Sequence, residues 1–227
     1  EHNLLIFPDL VHEFGHVLHE SSNVKLLGSR FEAALESHIQ ELENQVRRTS
    51  RPIDKKLIID IAGRWDPRWE PKWAEEVACD TLATFLLGPA YAWCNLHLCL
   101  QNSNAHQFLG EHPADAARSK HVIRVLRRMR LADVADEIED IWTRYIDFSR
   151  QVPESHYIDY HPDDIFTAIM EDVEEAIADH AIGPIESCPT LEMLNNAWNQ
   201  FNKNRDEYPK WQRETLSELN RAIMKIS

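Results

Sequence analysis

A chain of 227 residues is long enough to bury one sizeable core without disulfide help. Acidic residues outnumber basic ones 38 to 24, and a formal net charge of -14 repels a phosphate backbone over most of the surface, which excludes nucleic acid as a partner class. Cys79, Cys94, Cys99 and Cys188 form no CxxC pair, and three of them lie in one apolar stretch, which points to a reducing, cytoplasmic setting rather than a disulfide framework.

Glu1 is not a natural start, so the first residues are expected to have been trimmed or to follow a missing segment. The strand-like residues 3–7 are too few to make a sheet within this chain. Pro8 and Asp9 favour a first helical turn and predict a helix from there to about His19, before the polar break Ser21-Ser22-Asn23. Phe31, Leu35, Ile39, Leu42 and Val46 recur at helical spacing; "RRTSRP" interrupts; Ile53, Leu57, Ile61 and Trp65 then make a second stripe. After "WDPRWEPKW", whose Trp69, with Trp65 and Trp73, reads as joint packing, Lys72 to Leu87 predicts a largely buried helix ended by Gly88-Pro89. Later helices are expected over Ala114–Arg130, Ala132–Arg150, Pro162–Ile182, Leu191–Asn202 and Pro209–Ile226, with "QVPESHYIDYHP" as a long loop. The fold class is mainly α, a single domain over 1–227 with its site in 1–126 and a helical C-terminal extension over 127–227.

One stretch, Val77 to Leu100, approaches the apolarity of a membrane span. Asp80, Gly88-Pro89, Asn95 and His97 interrupt the unbroken run of about 20 residues that spanning requires, so a buried helix pair is expected instead.

The chemistry is concentrated in "LVHEFGHVLH", from Leu10. Residues four apart share a helix face, so His12 and His16 can aim their rings at one point with Glu13 beside it. Two imidazoles suit zinc and leave two tetrahedral positions, one for a third protein ligand and one for water. A bound cation lowers the water pKa to about 7, and Glu13 can take the proton as general base. In "EEVACD", Glu76 and Asp80 are again four apart, on a helix that is otherwise apolar. An unpaired carboxylate in a core costs several kcal/mol, so these two demand cations or donors. Glu76 is the expected third ligand, and Asp80 the acceptor for the free ring N–H of His12. Glu75 is expected to point elsewhere, into solvent, and His19 to cap the helix end rather than to ligate. An ion pair of Glu76 or Asp80 with Arg64 or Arg68 is the competing account of the same burial.

His12-Glu13-x-x-His16 followed by Glu76-x-x-x-Asp80 resembles the gluzincin metallopeptidases. "EEVACDTLATFLLGP" is similar to the second-ligand helix of the ImmA/IrrE-type members. "EHPADAAR", with His112, Pro113 and Arg118, is similar to the HP-x4-R element of the CAAX-prenyl and HtpX-like peptidases. The resemblance covers about the first 126 residues and implies a zincin-like helical core. It departs from the family in two respects: gluzincins carry a β-sheet before the motif helix, which is absent or reduced in this chain or supplied by another segment, and the roughly sixty residues between His16 and Glu76 must hold at least two helices, placed where they could roof or obstruct the cleft.

A hydrolytic site also needs a donor for the tetrahedral oxyanion, for which His112 and Tyr157 are the expected candidates, with His156, Tyr160 and His161 behind them. The arginines of "RVLRRMR" are expected to form a solvated face. The function expected is zinc-dependent hydrolysis of peptide bonds in a protein or peptide substrate, with no membrane partner. The rivals are an inactive, zinc-stabilised interaction module and a membrane-associated peptidase.

Overall fold

A computed structural model describes residues 3–21, 24–48, 55–66, 68, 72–101, 104–107, 110, 112–153, 156–183 and 188–223. The polar break at 22–23, Ile53, Trp69 and the end of the last expected helix at 224–226 lie outside the described residues. Among the described residues the chain is mainly helical and contains no β-strand.

The elements are α1 (Asp9–Glu20), α2 (Ser29–Arg48), α3 (Lys55–Trp65), α4 (Trp73–Leu87), α5 (Pro89–Cys99), α6 (Asp115–Arg128), α7 (Ala132–Ser149), the single turn α8 (Tyr157–Tyr160), α9 (Asp163–Asp179), α10 (Pro189–Lys203) and α11 (Tyr208–Ile223). The expected helices are all present, with ends shifted by a few residues. α8 lies inside the segment expected to be a loop.

Residues 4–8 are a tight turn, with Ile6 N–H donating to Asn3 O at 3.2 Å and Asp9 N–H to Ile6 O at 3.0 Å. Leu4 and Leu5 are both buried. Two consecutive inward side chains contradict the alternation of a strand and suit a turn.

α4 is the axis of the fold. It packs against α1, α3, α5, α6 and α9, and from Trp73 to Thr84 every residue is buried. That enclosure explains why its sequence is apolar on all sides. On one side α4 meets Phe31, Leu42, Ile61 and Trp65 of α2 and α3 and Ile165, Phe166, Ile169 and Val173 of α9. On the other, Ala83 and Leu87 join a core from α5, α6, α7, α10 and α11, including Tyr91, Ile138, Trp198 and Tyr208. The expected division at residue 126 therefore follows no packing boundary, because α9 fills the core that α4 needs.

α9 also caps α2. Asp172, nearly fully buried, accepts the backbone N–H groups of Gly28 at 2.8 Å and Phe31 at 2.9 Å through Oδ2. These are donors at a helix start with no partner inside their own helix.

Gly88 separates α4 from α5 at φ +55 and ψ -126, a conformation that favours glycine, and Pro89 starts α5 at a position where its missing N–H is not needed. The apolar stretch is thus broken into helices of 15 and 11 residues. No described helix is long and apolar enough to cross a membrane.

Candidate metal centre

α1 and α4 cross at Gly15, where an added Cβ would stand 2.9 Å from Cys79 Sγ and 3.3 Å from Cys79 Cα. This close approach brings the faces carrying His12 and His16 onto the first two turns of α4, where Glu75, Glu76 and Asp80 are all buried.

Each imidazole is fixed by its own carboxylate. His16 Nδ1–H donates to Glu75 Oε1 at 2.9 Å, and His12 Nδ1 lies 3.0 Å from Asp80 Oδ1. With the Nδ1 protons committed, both Nε2 atoms present lone pairs, and they stand only 3.3 Å apart. The Glu76 carboxylate joins them, Oε2 at 3.2 Å from His12 Nε2 and Oε1 at 3.4 Å from His16 Nε2. Glu76 Oε2 is buried and, despite short contacts to His12 Nε2 and to His112 Nδ1 at 2.8 Å, has no partner with hydrogen-bond angles.

Three acceptors converging on one point are repulsive unless a proton or a metal cation sits among them. Ligands about 2.0 to 2.1 Å from a tetrahedral ion stand about 3.3 Å from one another, which matches the 3.2, 3.3 and 3.4 Å separations here. His12, His16 and Glu76 form a group that could hold a metal ion.

The electrostatics carry the same demand for positive charge. Burial opposes a charged His12, yet the close approach of the Asp80 and Glu76 carboxylates overrides this and raises its pKa to about 9, so without metal a proton on the ring supplies the positive charge. Burial likewise opposes an ionised Glu76, but His112 and His12 bring its pKa down to about 2.

Behind the triad, Asp80 is fully enclosed and saturated with donors. Arg118 binds it in bidentate fashion, Nε to Oδ2 and Nη2 to Oδ1, both at 2.8 Å, and the buried Tyr91 hydroxyl donates to Oδ1 at 2.5 Å. Full burial would raise the Asp80 pKa, but the Arg118 charge and these bonds hold it well below the usual carboxylate range. The cation beside Asp80 is therefore Arg118. Arg64 instead pairs with Asp60 at 3.0 Å, and Arg68 with Asp66 at 2.7 Å.

Glu75 corrects the sequence reading. It is 3 % exposed and pairs with His16 and, at 3.3 Å, with Lys72. A helix enclosed on all sides offers no solvated face, so the burial argument applied to Glu76 and Asp80 holds for Glu75 as well. Tyr91 had no signal in the sequence, because it reaches Asp80 from α5. Arg118 was visible as part of "EHPADAAR", but its partner was not.

Of the expected oxyanion donors, His112 is at the site, nearly half exposed, with Nδ1 on Glu76 Oε2. Together with the exposed Glu13 it lines a cavity of about 240 Å³ beside His12. Tyr157 is not brought there. It packs on His161 and His106, with ring centroids 4.6 and 5.1 Å apart, and lines a separate cavity with Lys120, His121 and Arg124. α8 is oriented the other way by Tyr160, whose hydroxyl donates to Asp60 at 2.6 Å and whose carbonyl accepts Trp65 Nε1–H at 2.9 Å. His156 is bound to Asp159, and both ring nitrogens of His161 are used in backbone hydrogen bonds. His19 lies one turn past His16 and lines a groove with Phe31 and Leu35, outside the triad.

The cysteines are free thiols. Burial pushes the thiols of Cys79, Cys94 and Cys99 up, away from ionisation, so none offers a thiolate to the site. Comparison of the chain with protein-family models, with curated proteins and with solved structures finds no match in any of the three.

Proposed function

We propose that the protein is a zinc-dependent peptidase that holds its ion through His12, His16 and Glu76 and uses Glu13 as general base. The observation that carries this reading is the set of three acceptors 3.2 to 3.4 Å apart, each imidazole locked by a carboxylate, with Glu13 at the mouth of the adjoining cavity. Two nitrogens and one carboxylate oxygen suit zinc, and three protein ligands are the number that leaves a position open for chemistry. When bound, the ion supplies a polarised carbonyl and a water acidified to near neutral pH.

The side chains divide the remaining work. Glu13, exposed on the cavity side of α1, takes the proton of the attacking water and returns it to the leaving nitrogen as the C–N bond breaks. His112, at the cavity rim, donates to the oxyanion of the tetrahedral intermediate. Glu75 and Asp80 keep the two rings in the tautomer that presents Nε2. The four free thiols support a cytoplasmic setting.

A second reading, a metal that only braces the fold, is favoured by the contact of His112 with Glu76, since a fourth protein ligand would close the site. Glu13→Gln separates the two. On the peptidase reading the purified variant keeps about one zinc per chain and loses cleavage of unstructured protein substrates by at least about 100-fold. Equal cleavage by wild type and variant would remove Glu13 from the mechanism, and a wild-type chain without zinc would remove the whole reading.

A further inference from the structure

Two openings flank the triad, one at each end of α1. Asp9, His12 and Glu13 line the cavity of about 240 Å³ at its start, and His19, in its last turn, lines a groove of about 510 Å³ at its end. His19 follows His16 by three residues and His12 by seven, so it lies on the ligand face of the helix, about 4.5 Å beyond His16 along the axis. Glu75, which holds His16, and Lys72 are among its charged neighbours. A chain laid across the three ligands along this face therefore runs from the cavity into the groove.

The groove is apolar at its base and charged at its rim. Leu27 and Phe31 are buried and Leu35 half-buried, whereas Lys25, Glu32, Glu36 and Arg68 are exposed. Lys25 pairs with Glu32 at 3.9 Å and Arg68 with Asp66 at 2.7 Å, so the rim cations are answered from within the chain. What the groove selects is then apolar volume rather than charge, and its size falls in the range of about 300 to 1,000 Å³ usual for ligand sites.

His19 adds a polar requirement. Its Nδ1 is buried and, among the described residues, has no hydrogen-bond partner. Buried polar atoms are paired in all but a few cases. An imidazole nitrogen takes either a backbone N–H or a backbone C=O, according to its tautomer, and an extended peptide offers both.

We propose that this groove is the specificity pocket of the peptidase, taking a large apolar side chain of an unstructured peptide beside the bond held at the metal, with Phe31 and Leu35 as its apolar wall and His19 as the anchor for the neighbouring backbone. The inference rests on the peptidase reading for what brings the peptide there. Binding in the groove does not require turnover.

The test is calorimetric titration of the full, zinc-supplemented chain carrying Glu13→Gln, so that bound peptide stays uncut, with acetyl-Gly-Gly-Phe-Gly-Gly-amide and its alanine counterpart. The phenylalanine peptide should bind at least about tenfold more tightly, the least that burying its side chain gives. Leu35→Trp, which fills the groove, should cut that ratio at least threefold with zinc content unchanged. His19→Ala should weaken both peptides alike and leave the ratio in place. Should Leu35→Trp fail to fold, Leu35→Ala carries the comparison: it enlarges the groove and should move the preference from phenylalanine to tryptophan at the central position.

Equal binding of the two peptides, no binding of either at millimolar concentration, or a ratio unmoved by the Leu35 variant that folds overturns the proposal. A chain that sediments as a dimer, dissociated by Leu35→Trp and not by peptide, would give the groove to a second copy and overturns it too. Preference for the phenylalanine peptide in a protein whose wild type cuts neither would sink the peptidase reading alone. Wild-type cleavage of both peptides with no difference in binding would sink this one alone.

Discussion

Glu75 Oε1 receives the Nδ1–H of His16 at 2.9 Å, while Lys72 sits 3.3 Å from the other carboxylate oxygen. With Asp80 at His12, both imidazoles of the triad are thereby oriented by buried carboxylates from consecutive turns of one helix.

Removing such an orienting partner leaves the ligands in place but lets the ring rotate. Glu75→Ala is expected to weaken metal binding by about 10- to 100-fold, measured by competition with a chromophoric chelator. Glu75→Gln, which keeps an acceptor oxygen, should recover much of the loss. An affinity unchanged in Glu75→Ala would show that His16 is held by packing alone.

Arg118 and Asp80 form a buried ion pair, and breaking it from one side strands a charge. Arg118→Leu should destabilise the metal-free fold by about 3 to 5 kcal/mol in urea unfolding, because Asp80 keeps only the Tyr91 and His12 donors. Adding Asp80→Asn removes the stranded charge and should restore part of that loss. A double variant less stable than Arg118→Leu by the full single-mutant cost of Asp80→Asn would show that the two residues are not coupled.

The helix crossing offers a steric test. In Gly15→Ala the new methyl group meets Cys79 at 2.9 Å from sulfur and 3.3 Å from Cα, so α1 must move off α4. The cost should be about 1 to 3 kcal/mol of stability, with a measurable loss of metal affinity, since His12 and His16 ride on the same helix. Cys79→Ala should relieve the sulfur contact and only part of the penalty. A stabilising Gly15→Ala, as helix propensity alone would give, would contradict the close approach.

Acid sensitivity has a source remote from the triad. His161 accepts Ala114 N–H at Nε2, 3.1 Å away, and donates Nδ1–H to Tyr157 O at 2.9 Å, so it is held neutral. Burial lowers its pKa from 6.5 to about 4. A folded-state pKa below the unfolded one means that the unfolded chain takes up the proton first. The stabilisation is complete above about pH 6.5 and is lost as the pH falls toward 4, by at most about 1.4 kcal/mol per pH unit. Between pH 7 and pH 4.5 wild type should lose about 2 kcal/mol more than His161→Gln in urea unfolding. Equal losses would show that His161 is not the group involved.

Much of the helical frame is legible in local pattern. Stripes such as Phe31, Leu35, Ile39 and Leu42 repeat at helical spacing, and Pro89 and Gly88 punctuate where the backbone requires it. The pairing of His12 with His16 and of Glu76 with Asp80 is equally local, since four residues on a helix is one face whatever surrounds it. Tyr157 was placed at the site because donor residues cluster in "SHYIDYH". Nothing in that string reveals that Tyr160 and its hydrogen bond to Asp60 would turn the segment away.

The sequence by itself determined which groups of residues travel together on a helix: His12, Glu13 and His16 on one, Glu75, Glu76 and Asp80 on another. Only the tertiary structure decided that α1 approaches α4 at Gly15, that Arg118 and Tyr91 close over Asp80, and that Glu75 faces inward to His16. The reason is one of range. Helical periodicity is fixed by backbone hydrogen bonds four residues long, whereas the partner of a buried charge is chosen by helices that meet in space from 11 to 144 positions away along the chain.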